Sequence, residues 1–234
     1  LCNRHLPSDF DRTCETKMKT SSDRILTTHV GSLPRPKDLL DVLNLQLEGA
    51  EFESGKLETL AADAVRDIVA QQVNAGIDVV SDGEMAKISY THYVKHRLNG
   101  VGSRGEAKGE IAGSAPNRDM TDHPDFMERQ RALPWRAIGT KGRQFNTGDA
   151  LPICVGPISY GDEAPVQLDI KNFDQAVTAS KPTDAFLNAA SPGVLTKFVP
   201  DSYYGDEDKY VGDLADAMKV EYEAIHAAGF LLQI

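Results

Sequence analysis

Two short polar turns hold the residues best suited to chemistry. The first is Thr27-Thr28-His29-Val30-Gly31-Ser32-Leu33-Pro34-Arg35-Pro36. Glycine admits backbone conformations that other residues avoid and lets a ligand approach the main chain. Pro34 and Pro36 fix their own φ and push the preceding residues toward extended geometry, so the turn is stiff. The second is Asp82-Gly83-Glu84, which follows the β-branched run Ile77-Asp78-Val79-Val80-Ser81. Turns of this kind at the C-terminal ends of strands are where α/β proteins hold ligands. The same pattern also closes strands that bind nothing, and composition alone does not separate the two readings.

Other reactive groups read as structural. His92 and His96 stand four apart, a metal-binding spacing on a helix, but no Glu follows His92 and no third ligand lies nearby. They are expected to be surface or partly buried histidines. Glu221 falls inside an apolar stripe, where a carboxylate must find a donor or shift its pKa, and a structural hydrogen bond is the expectation. Cys2, Cys14 and Cys154 are odd in number and scattered, with no Cys-x-x-Cys pair. That excludes a disulfide framework and fits a reducing, cytoplasmic setting. Cys154, within an apolar run, reads as a small core residue. No catalytic residue and no metal ligand is assigned.

The elements around these turns follow from periodicity. Arg24 to Val30 reads as a short buried strand, Lys37 to Leu47 as a helix, and Leu57 to Val73 as the clearest amphipathic helix. Its stripe is Leu57, Leu60, Ala61, Ala64, Val65, Ile68, Val69 and Val73, with Gly76 as the stop. Residues 77–81 form the next strand, and 85–98 read as helical through Tyr90, Tyr93, Val94 and Leu98. From 100 to 149 the pattern breaks into glycines, prolines and charges, an excursion with a hairpin near 98–112, a mobile loop and Trp135 as either an anchor or a locally packed side chain. Regularity returns with a strand at 152–157, a helix at 170–179 and an ambiguous apolar segment at 183–190. The turn Ser191-Pro192-Gly193 comes next. A strong helix over 206–228 carries Val211, Leu214, Ala215, Met218, Tyr222 and Ile225, and a strand begins at Phe230.

The 234 residues carry 35 acidic and 25 basic side chains, a formal charge of −10. That balance argues against a nucleic-acid or anionic-membrane surface, so an anionic substrate must meet a local basic cluster. No apolar run approaches the ~20 residues of a membrane span. Residues 1–23 are polar with mixed charge and read as a loosely ordered N-terminal extension, not a secretory leader. Apolar strands alternating with helices describe a parallel sheet covered on both faces, an α/β fold. A (β/α)8 barrel and a doubly wound sheet both fit. The lack of Gly-x-Gly-x-x-Gly after a strand counts against dinucleotide binding. About five strands can be placed, where a barrel has eight, so the expectation is a barrel truncated after its first part.

Four motifs in order carry a family resemblance: Thr27 to Pro36, Asp78-Val-Val-Ser-Asp-Gly-Glu84, Ser191-Pro-Gly193, and Glu221 through Gly229-Phe-Leu-Leu-Gln-Ile234. Together they resemble the C-terminal catalytic domain of cobalamin-independent methionine synthases and their stand-alone relatives. The likeness spans residues 24–234 apart from the excursion. It implies a (β/α)8 barrel of the methionine synthase and uroporphyrinogen decarboxylase type. It also implies zinc-dependent transfer of a methyl group from a methylated folate to the thiol of homocysteine, in methionine biosynthesis and without cobalamin. Relatives run other thiol alkylations, including epoxide opening by coenzyme M.

By that resemblance Gly31 and Ser32 bind the amino-acid part of the thiol substrate, and Glu84 binds its ammonium group. From charge alone, Arg35, Lys37 and Lys87 near these turns are either candidates for an anionic folate tail or a solvated surface, the latter being the more common case. The family's zinc ligands, a His-x-Cys pair and a later Cys, come from the barrel's second half and are not found in this sequence. Zinc ionises the thiol near neutral pH, so the chain alone is expected to be an inactive portion. The rival readings are a non-catalytic remnant, a porphyrin decarboxylase lacking its arginine-rich cleft, and an aldolase-type barrel lacking a visible Schiff-base lysine. Its expected partners are small molecules, not nucleic acid or membrane, and oligomeric state is open.

Overall fold

In a computed structural model the described residues are 18–48, 50–53, 55–89, 92–107, 118–132 and 152–234. Cys2, Cys14, Trp135 and most of the expected extension lie outside them. The helix α1 spans Lys37–Glu48 and α2 spans Lys56–Asn74, followed by the two-residue strand β1, Val79–Val80. On α2 the buried residues are Ala61, Ala64, Val65, Ile68, Val69 and Gln72, the middle of the stripe expected from 3.6-residue spacing plus one polar member, with Leu57, Leu60 and Val73 only partly buried. Gly76, at φ 84°, ends the helix. Its N–H donates to the Val73 carbonyl and that of Ile77 to Gln72, at 3.0 Å each, which satisfies the last carbonyls. Gln72 then reaches across. Its amide donates to the Ser81 carbonyl at 2.8 Å and accepts from the Ser81 N–H at 3.1 Å. One buried side chain thus ties the helix to the start of the Asp82–Glu84 turn.

The next segment departs from the helical expectation. His92–His96 is a 3-10 turn, and β2 begins at Leu98, running to Ser103. A 3-10 turn has about three residues per turn, so the segment does not offer the helical i, i+4 spacing the sequence suggested. Two short helices follow, α3 (Arg118–Asp122) and α4 (Pro124–Ala132). The strand β3 covers Pro152–Tyr160 and pairs antiparallel with β2, from Leu98↔Tyr160 to Ser103↔Pro152. This corrects the assignment of 152–157 to the parallel sheet. The pairing shifts register between Asn99 and Val101, where Gly100 sits at φ 80°. A Cβ there would lie 2.3 Å from the Pro157 carbonyl oxygen.

Beyond β3, α5 (Ala164–Ser180) is longer than expected because Pro165 is accommodated in its first turn. The ambiguous segment is the strand β4, Asp184–Asn188, and Ser191 caps α6 (Pro192–Phe198) by accepting from Val194 N–H at 3.2 Å. The helix α7 (Glu207–Ala227) precedes β5 (Leu231–Gln233). Its buried face is Tyr210, Leu214, Ala217, Met218, Glu221 and Ile225. That face is turned by about one residue from the predicted one, with Ala215 exposed, because α7 packs on β3, an element the pattern had placed elsewhere.

The parallel sheet runs β1-β4-β5, and Thr28 adds a parallel bridge to Val79. Thr28, β1, β4 and β5 therefore lie side by side with their C-terminal ends together. The expected buried strand at 24–30 is instead an edge segment in which Ile25 is 84 % and Val30 63 % exposed. It is held through Asp78, which pairs with Arg24 and accepts from the Thr27 N–H at 2.9 Å. The core fills the space between sheet and helices, with the Phe173 and Phe230 rings 4.8 Å apart at its centre. Among the described residues no helix is long and apolar enough to cross a membrane.

Candidate functional site

The first turn and the second meet at the C-terminal end of the sheet. The Leu33 N–H donates to the Gly83 carbonyl at 3.0 Å, joining their main chains. Gly31 (φ 91°) and Gly83 (φ 63°) occupy the left-handed region that favours glycine, and Glu84, at φ 57°, does so without that freedom. A non-glycine residue held there costs about 1 kcal/mol or more and persists only where surrounding contacts enforce it. Those contacts are present. The Glu84 N–H donates to Asp82 at 2.9 Å, and the Gly83 N–H donates to the Ser81 hydroxyl at 3.2 Å.

The Glu84 carboxylate is only 3 % exposed and receives two neutral donors. Ser32 Oγ donates to Oε2 at 2.5 Å, and Asn188 Nδ2 donates to Oε1 at 2.6 Å. The turn residues named from the sequence are therefore brought together, with Gly31 beside Ser32. Asn188 was not foreseen. It is the last residue of β4, in a segment whose strand character was ambiguous, and no local signal marks it. Around this centre Asp82 is fully buried, and burial pushes its carboxyl above the ordinary range. Burial likewise lowers the Arg35 guanidinium, against the opposing pull of Glu84 and Asp82. Two buried atoms here have no hydrogen-bond partner, His29 Nε2 and Arg35 Nε.

The three basic residues near the turns have other engagements. Arg35 Nη2 donates to the carbonyls of Glu84 at 2.8 Å and Lys87 at 2.5 Å, so it braces the turn. Lys87 is 3 % exposed and donates to the Asn188 carbonyl at 2.6 Å, over the face of Tyr93. Lys37 pairs with Asp41 at the surface. Arg35 and Lys87 are thus committed to main-chain carbonyls, while Lys37 stays at the surface. A cavity of about 520 Å³ lies beyond Lys87, walled by Leu57, Glu58, Tyr93, Arg97 and Asp169.

Glu221 is structural, as expected. It is 1 % exposed and accepts from Tyr93 at 3.1 Å and Tyr160 at 3.2 Å, with Arg97 3.5 Å away. Arg97 also pairs with Asp169 at 2.6 Å. Burial alone would lower the Arg97 guanidinium, but Asp169 and Glu221 raise it above its ordinary value. Burial pushes the Tyr93 hydroxyl well up, and Glu221 adds to that.

No three His, Cys, Asp or Glu side chains converge into a metal site among the described residues. Cys154 is no candidate. Its thiol is buried, donates to the Gly156 carbonyl at 3.3 Å, and is pushed up to about 12 by burial. The donor set among the described residues does not fit zinc. What the Ser32–Glu84–Asn188 cluster offers is a fixed, desolvated negative charge beside a glycine turn. It is suited to binding a cationic group.

Comparison with known proteins finds relatives of one kind. Residues 25–122 match the family described as cobalamin-independent synthase, catalytic domain. A methionine synthase of Sulfolobus acidocaldarius is 37 % identical over 195 residues, covering 83 % of this chain and 46 % of that protein. One from Saccharolobus solfataricus is 24 % identical over 203 residues, 87 % of this chain and 49 % of that protein. Among solved structures, a B12-independent methionine synthase from a Shewanella species, in complex with selenomethionine, aligns with a TM-score of 0.58 at 24 % identity. It covers 87 % of this chain and 49 % of that one. A putative vitamin-B12-independent methionine synthase from Listeria monocytogenes gives 0.57 at 19 % identity, over 90 % and 52 %. The chain thus spans about half the length of these relatives. The resemblance read from the four motifs is borne out, and the fold is a mixed α/β one with a parallel sheet, like that of the solved synthases.

Proposed function

We propose that this chain, similar over most of its length to cobalamin-independent methionine synthases, supplies the amino-acid-binding half of a thiol methyltransferase site. In the complete reaction a methylated folate would give its methyl group to the thiol of homocysteine, with zinc at a site these residues do not form. Gly31 and Ser32 would receive the substrate carboxylate through main-chain N–H and hydroxyl. Glu84 would receive its ammonium. The observation that carries this reading is the Glu84 carboxylate, buried, hydrogen-bonded by Ser32 and Asn188, and without an ion-pair partner among the described residues.

The same carboxylate argues against coenzyme M as acceptor. Its sulfonate would stand against Glu84 with Asp82 close by, whereas an α-amino acid brings the missing cation. The amino-acid complex of the Shewanella relative is of the matching chemical class. A cytoplasmic setting is part of the proposal and rests on the scattered cysteines. Titration calorimetry of the chain with L-homocysteine and with coenzyme M is the test. Binding of L-homocysteine alone, lost in Glu84→Ala, is expected, and comparable affinity for coenzyme M would overturn the assignment.

A further inference from the structure

We infer that Asn188, itself held by Lys87, is a positioning residue that aims the Glu84 carboxylate at the substrate's ammonium group. The inference rests on the reading of Glu84 given above. Glu84 follows a left-handed glycine in a turn, and a glutamate side chain there has three torsions to settle. Ser32 restrains one oxygen from the first turn, and Asn188 restrains the other from the end of β4. Both donors are neutral. The carboxylate is therefore fixed in direction without being neutralised, and no cation lies within ion-pair distance of it among the described residues. Charge is left for a ligand.

Lys87 determines which way the Asn188 amide faces. Lysine only donates, so the amide oxygen turns to Lys87, 3.5 Å from Nζ, and the nitrogen turns to Glu84. The reverse orientation would set oxygen against carboxylate and NH2 against ammonium. The principal bond of Lys87, to the Asn188 carbonyl at 2.6 Å, also holds the ammonium away from Glu84. Lysine, asparagine and glutamate thus form a directed chain that ends on the binding carboxylate. Its register follows from the parallel pairing of Val80 with Ala185, which lets β4 run on past the end of β1 and sets Asn188 beside the turn that carries Glu84.

The test compares L-homocysteine with 4-mercaptobutanoate, the same thiol acid without the amine, on the full chain by calorimetry. The parent is expected to prefer L-homocysteine. Asn188→Leu, close in shape and apolar, should cut that preference about tenfold, the worth of a hydrogen bond to a charged group. Affinity for 4-mercaptobutanoate should hold. Asn188→Ser, too short to reach Glu84, should do the same and guards against misfolding of the first variant. An unchanged preference in a folded variant overturns the positioning role while leaving Glu84 assigned. A parent with no preference, or with no binding of either ligand, overturns both the role and the assignment.

Discussion

Ser32 and Glu84 stand 52 positions apart in the chain and meet through a 2.5 Å hydrogen bond at the mouth of the sheet. One belongs to an exposed turn and the other to a buried one, so the bond carries the turn's position into the interior. Ser32→Ala is expected to weaken L-homocysteine binding about fivefold to tenfold. It should lower stability by about 1 kcal/mol, since a buried carboxylate loses one of its donors. Calorimetry and denaturant unfolding read the two effects separately. A variant that binds as well as the parent would show that this bond does not shape the site.

The Arg97 cluster holds the 3-10 turn, β3, α5 and α7 together. With Arg97 6 %, Asp169 11 % and Glu221 1 % exposed, Arg97→Met leaves two buried carboxylates without their cation. The expected loss is about 3–5 kcal/mol, read from the urea midpoint. Adding Glu221→Leu should recover part of it, because one of the stranded charges is then gone. A double variant as unstable as the sum of the singles would mean the pair is not coupled.

Asp78 gives the fold an acid-sensitive clasp. Its hydrogen bond with Arg24, then those from Thr27, holds its carboxyl well below the ordinary range in the folded chain. A group with a depressed folded pKa contributes stability that is present above the unfolded value, about 4, and lost as pH falls below it. Asp78→Asn should therefore be less stable than the parent at pH 7, with the gap closing as pH falls below about 4. Thermal melts across that range check it, and a constant gap would remove Asp78 from the account.

Gly100 and Gly55 both sit at positive φ, 80° and 79°, and differ in their surroundings. A Cβ on Gly55 would meet nothing within 4 Å, so Gly55→Ala should cost about 1 kcal/mol of backbone strain. On Gly100 it would strike the Pro157 and Gly156 carbonyl oxygens at 2.3 and 2.7 Å. Gly100→Ala should cost at least about 3 kcal/mol and loosen the β2–β3 pairing. Equal melting temperatures for the two variants would contradict the register shift placed there.

Much of this protein is legible in its sequence because it is local. The α2 stripe, the stop at Gly76 and the two glycine turns are set by residues within a few positions of each other. The order of those turns carried the family resemblance, and it named Gly31, Ser32 and Glu84 before their positions were known.

Tertiary structure decided the rest. An apolar run such as 152–160 does not encode whether its partner lies parallel or antiparallel, and here β2 claims it. The face of α7 follows from that pairing, and so does the place of Glu221 among Tyr93, Arg97 and Tyr160. Lys87 looks like a surface charge near a turn, yet folding buries it against Asn188. Asn188 reaches Glu84 across 104 positions. Periodicity reports which face of an element is buried. Which polar group meets which inside the core depends on strand order and register, and those are settled only when distant segments pack.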